Sequence, residues 1–210
     1  MCFSANVSLG TFIAGIVFSI LSFNVGTIEG KIIGTFFGFV IFMQLIEYLL
    51  WKHQECDDYN KKLTITGMVL NHLQPIVLFL MIILFNKNIS PKNMKIMISI
   101  IIIYTISIIA YSLQFKKFCT LKGNNSNKHL VWKWNNMDNA EIVYIIFVIS
   151  MIIVTYIGMP SHKVEYSLVI LLSVIISRII YGKQEVTGAL WCFIAAFAPL
   201  VYFLTQKIKN

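Results

Sequence analysis

Long apolar runs, almost free of charge, recur along this 210-residue chain and constrain its fold more than any other feature. They lie at Val7 to Phe23, Ile32 to Trp51, Leu63 to Phe85, Ile96 to Phe115, Ile142 to Met159, Val164 to Tyr181 and Val186 to Thr205. Each is close to the roughly 20 residues that an α-helix needs to cross a hydrocarbon core about 30 Å thick. The spacing predicts an all-α, seven-transmembrane-helix bundle in one domain over residues 1–210, because backbone polar groups in lipid must be satisfied within their own helix. Composition agrees: 58% of residues are hydrophobic and 12% charged, about half the charged share of an ordinary soluble domain. That excludes a soluble globule and a disordered chain. Four cysteines are too few for a disulfide scaffold. The net charge of +8 sits in scattered lysines and forms no basic stripe, so lipid head groups and not nucleic acid are the expected anionic neighbours.

Gly, Pro, Asn and charged residues mark the breaks between runs. Seven spans put the termini on opposite faces. The N-terminal face then receives the connections Gln54 to Lys62, Lys116 to Asn139 and Gly182 to Glu185. Lys and Arg divide nearly evenly between the two faces, so the positive-inside rule says little. The residues before Val7 carry no side-chain charge and Lys31 is the first basic residue, which favours an extracytoplasmic or lumenal N-terminus.

The chain also resembles itself. Leu49 to Glu55 is similar to Ile179 to Glu185, and Pro75 to Leu80 to Pro199 to Leu204. This suggests repeats 1–86 and 140–206 joined by a linker helix 96–115 and a loop 116–139. Such a plan resembles transporters of three-one-three helices, which bind at the repeat interface near the bilayer midplane. The reversed order Gln74-Pro75, in a third helix, departs from the Pro-Gln pair those families carry, so their substrates do not carry over.

Polar groups inside spans are costly and are therefore the first functional candidates. Glu47, Asn71, His72, Gln74, Arg178 and Glu185 all fall toward the N-terminal face. The expected site is a one-sided polar vestibule for a small molecule or ion, with His72 and Glu47 as its floor and Lys116 to Asn139 as its rim. Cys2, His129, Trp132 and Glu141 are the rim candidates. Pro75 should free the carbonyl near Asn71. The plainer reading makes Glu47, Arg178 and Glu185 interhelical ion pairs and the amides packing contacts. Trp132 and Trp134 are expected to anchor the membrane interface; the alternative is a lid over the vestibule.

No cofactor is expected. Zinc has only Cys2, His72 and His129 as scattered ligands, with no Cys-x-x-Cys or His-x-x-x-His pair. Phosphate loops, nucleophile elbows and dinucleotide fingerprints are absent from the sequence. Cys56 and Cys119 share the N-terminal face and can form a disulfide if that face is oxidising. Cys192 reads as a small buried residue.

Met1-Cys2-Phe3-Ser4-Ala5, His72-Leu73-Gln74-Pro75, the Cys119 to Trp134 segment and Glu185 followed by Trp191-Cys192-Phe193 together resemble an uncharacterised family of polytopic membrane proteins. The family opens with Met-Cys-Phe/Trp-Ser-Ala. The resemblance implies a shared helical membrane fold and no activity. A small-solute or ion transporter or channel is the leading functional expectation. An intramembrane, metal-dependent lipid hydrolase is the first alternative, and a ligand-binding receptor or accessory protein the second. A retinal Schiff base is disfavoured because Val186 to Thr205 has no Lys.

Overall fold

The structure is a computed structural model that describes residues 4–116, 118–123, 129–181 and 191–209. Cys2, Glu185 and the first residues of the span expected from Val186 lie outside the described residues.

Short polar side chains start the helices. Ser4 accepts from the Val7 N–H to open α1 (Ala5–Phe23), and Thr27 from the Gly30 N–H to open α2 (Ile28–Val40). Asp57 does the same for α4 (Asp58–Phe85), and Ser90, followed by Pro91, for α5 (Pro91–Ser112). Each cap satisfies one of the amide groups that the first turn leaves without a partner. The remaining helices are α3 (Phe42–Lys52), α6 (Ala140–Gly158), α7 (Lys163–Tyr181) and α8 (Ala198–Lys209), with residues 191–195 also helical.

The run expected as one span from Ile32 to Trp51 is divided between α2 and α3 at Ile41. There Gln44 N–H bonds back three residues to the Ile41 carbonyl, a tightened turn. Ile41 itself packs on Gly15 of α1, where an added Cβ would lie 2.5 Å from its side chain. Counting α2 and α3 as one crossing, six helical segments among the described residues are long and apolar enough to span a membrane. The run expected as the sixth span forms the 19-residue α7, which carries Lys163, Glu165 and Arg178 toward its two ends and is not among those six.

The bundle is built around α4, which packs against α2, α3, α5 and α6. α1 lies on α2 and α3, α7 on α6, and α8 on α1 and α2. Gly34 sets how closely α1 and α2 approach, since a Cβ there would fall 2.6 Å from the Ser19 carbonyl oxygen. Outward faces are apolar: Ile102, Ile103, Ile106 and Ile109 of α5 are all more than half exposed. A helix face of that kind fits lipid and not water.

Each end of the bundle is fastened by polar contacts. At the end opposite the N-terminus, Asn86 Nδ2 donates to the Gly158 carbonyl at 2.9 Å, Thr27 meets the Tyr202 hydroxyl at 2.5 Å and Ser161 donates to Glu29. At the N-terminal face a short antiparallel hairpin, β1 (Leu121–Lys122) with β2 (Leu130–Val131), lies between α5 and α6. Cys56 and Cys119 form a disulfide there. Beside it, Asn60 Oδ1 accepts from the Thr120 N–H at 3.0 Å while its Nδ2 donates to the Thr120 carbonyl at 3.1 Å. Gln54 Oε1 takes the Lys122 N–H at 2.7 Å.

Candidate functional site

The hairpin leads into a 3-10 turn, Lys133–Asn136, that delivers Trp132 and Trp134 into the bundle. Both indoles are about 1% exposed, so neither anchors the membrane interface as expected. The reason is Gly67 of α4. It has no side chain, and two carbons of the Trp132 ring sit where a Cβ would lie only 2.8 Å away. Trp134 stacks edge-on to the His72 ring at 5.3 Å, and Tyr111 of α5 donates to the Trp134 carbonyl. The segment that follows the hairpin is thus packed into the helices.

Asn71, His72 and Gln74 lie buried on α4, within the turn that precedes Pro75. Pro75 has no N–H, so the Asn71 carbonyl loses its helical partner. The adjacent His72 carbonyl accepts from the Tyr104 hydroxyl at 2.6 Å, which helps hold the helix continuous through the proline. His72 Nε2 meets the Tyr144 hydroxyl at 3.3 Å, and Tyr144 in turn donates to Asn135 Oδ1. A chain of hydrogen bonds therefore links α4, α6 and the 3-10 turn.

Glu47 is fully buried on α3, on the face that also carries Gln44 and Leu50. Across from it Cys192, a buried free thiol, has the Glu47 carboxyl and the Gln74 amide as polar neighbours. Cys192 therefore sits in polar company, where the sequence suggested only a small apolar filler. Neither amide atom of Gln74 reaches full hydrogen-bond geometry with another of the described residues.

Arg178 is elsewhere. It pairs with Glu141 of α6 at 3.2 Å, with side chains 44% and 72% exposed, so this part of the predicted constellation is an interhelical surface pair. Exposure of that order makes the pair weak in stability terms. Of the zinc candidates, His72 faces aromatic rings and His129 is buried beside β2, while Cys2 lies outside the described residues. Among the described residues, the ligating atoms that do cluster are those of His53, Glu55 and Asp57, within 4.8 Å of one another at the N-terminal face. The Asn60 backbone N–H, with the His53 ring at 2.9 Å, holds the Asp57 carboxyl below its ordinary value.

Two cavities flank the α6–α7 seam, a feature that sequence reasoning missed because no local pattern encodes a gap between helices. The first, about 470 Å³, occupies the half nearer the N-terminal face. Its walls include Ile145, Ile149 and Ile152 of α6 with Leu171 and Val174 of α7; Asn71, Asn135 and Tyr144 supply polar atoms, and Glu141 and Arg178 also border it. The second, about 430 Å³, lies in the other half among α2, α6, α7 and α8, and includes Thr155, Tyr166 and Tyr202. The buried Thr155 hydroxyl has no hydrogen-bond partner among the described residues. The cavities follow one another along both helices: on α7 Ile170 borders the second and Leu171 the first, and on α6 Thr155 borders the second and Ile152 the first. Volumes of this size suit a small ligand.

Comparison with protein-family models, with curated protein sequences and with solved structures gives no match for this chain.

Proposed function

We propose that this integral membrane protein transports a small amphiphilic solute along the α6–α7 seam, from the half of the bilayer nearer its N-terminus to the other. The observation that carries this reading is the pair of cavities, one in each half of the bundle and both walled by α6 and α7. Their walls are chiefly apolar with a few polar groups, which suits a molecule with a tail better than a bare ion. An ion stripped of water in such walls would lack compensation.

Of the buried polar groups on α3 and α4, Asn71 borders the first cavity, with Asn135 and Tyr144 as its other uncharged polar neighbours. In this reading the three-helix units 1–86 and 140–206 move against each other, and the contacts of α8 with α1 and α2 form their joint. Pro75 interrupts the hydrogen-bond ladder of α4, and Pro199 stands in the first turn of α8, just after the break in helix at residues 196–197. The Cys56–Cys119 bridge supports an extracytoplasmic or lumenal N-terminal face, since disulfides persist in oxidising compartments.

Reconstitution tests the reading. Liposomes containing the protein and a fluorescent single-chain amphiphile in both leaflets are exposed to a membrane-impermeant quencher. Transport predicts loss of the inner-leaflet signal within minutes, at a rate that falls severalfold when Ile152→Trp fills the end of the first cavity nearer the second. An inner-leaflet signal as durable as in protein-free liposomes overturns it.

A further inference from the structure

The first cavity also bears on what kind of head group it takes. Asn71 is 5% exposed and borders the cavity, and its side-chain amide makes no hydrogen bond among the described residues. A buried amide without a partner is costly, so an unpaired one facing a ligand-sized space points to an occupant that completes it. Asn135 stands near it at the same end, with Oδ1 taken by Tyr144 and its amide nitrogen left as a donor. Among the described residues, the charged ones bordering the cavity are Glu141 and Arg178, which pair with each other at 3.2 Å. A charged head would therefore lose its water without gaining an unpaired counter-charge from these residues. Asn71 offers both a donor pair and an acceptor, the complement of a hydroxyl or carboxamide.

From Tyr144 to Ile152 the wall on α6 extends about 12 Å along the helix axis, at 1.5 Å per residue, toward the middle of the membrane. That direction is the one a lipid tail takes when its head lies near the N-terminal face.

We infer that the first cavity selects a single-chain amphiphile with an uncharged, hydroxyl-bearing head, recognised by the Asn71 amide together with Asn135 and Tyr144. This rests on the transport reading only in taking the first cavity as the binding end.

Trp191 borders the same cavity and supplies the readout. The full-length protein in nanodiscs is titrated with amphiphiles of one brominated tail carrying a glycerol, a carboxylate or a trimethylammonium head, while tryptophan quenching is followed. The glycerol head should quench saturably at a concentration at least tenfold lower than either charged head, and Trp191→Phe should remove most of that quenching. Asn71→Leu should bring the three heads to within about twofold of one another. Equal affinity of the three heads in the wild-type protein, or a preference that survives Asn71→Leu, overturns the inference; the wild-type comparison stands even if the variant fails to fold. Head selectivity without movement in the liposome assay removes the transport reading alone, whereas movement without selectivity removes this one alone.

Discussion

The Cys56–Cys119 bridge joins residues 63 apart, and its loss should be measurable. In the chain-entropy picture a loop of that length gives about 4 kcal/mol of stabilisation when the unfolded chain is random. This chain unfolds within lipid, where α4 and α5 remain helical. Those helices hold 28 and 22 residues of the loop and leave roughly a dozen flexible ones. The same relation then gives about 3 kcal/mol. At roughly 2–4 °C per kcal/mol for a chain of this size, the Cys56→Ser, Cys119→Ser double variant should melt roughly 6–12 °C below wild type. The assay is tryptophan fluorescence on heating in one lipid composition, with and without reductant. Reductant should lower the wild-type midpoint to that of the variant and leave the variant unchanged. Midpoints within about 2 °C, or a wild-type protein indifferent to reductant, would refute the argument that the bridge fastens the hairpin to the bundle.

Other substitutions probe separate parts of the structure. Gly34→Ala sets a methyl against backbone atoms of α1 that cannot move aside, and should destabilise by about 2 kcal/mol in an SDS-unfolding titration. Tyr104→Phe removes the donor to the His72 carbonyl and should cost about 1 kcal/mol, with faster hydrogen exchange around Pro75. Trp132→Ala empties the seat above Gly67 and should cost about 3–5 kcal/mol, while Arg178→Met should change stability by less than about 1 kcal/mol. Asp57→Ala removes the cap of α4 and should lower the melting midpoint at neutral pH. Because the native Asp57 carboxyl titrates below its ordinary value of 3.8, its contribution is fully present above that pH and is lost as pH falls through the lowered value. The difference between wild type and variant melts should therefore shrink on acidification.

The sequence alone determined that the chain lives in a bilayer and roughly where its helices run. Apolar length and the absence of charge are local properties, and lipid leaves the backbone few alternatives to helix. Ser4, Thr27, Asp57 and Ser90 mark helix starts for an equally local reason: a cap bonds to an amide two or three residues away. The burial of Glu47, Asn71, His72 and Gln74 was legible too, as polar exceptions within apolar runs. Their partners were not. That Arg178 meets Glu141 37 residues away, that Trp132 fills the space Gly67 leaves, and that Tyr144 joins His72 to Asn135 depend on how helices are rotated and how closely they approach. Those rotations follow from side-chain packing summed over the whole bundle. The cavities along α6 and α7 are of the same kind, since a gap exists only where neighbouring helices fail to fill it.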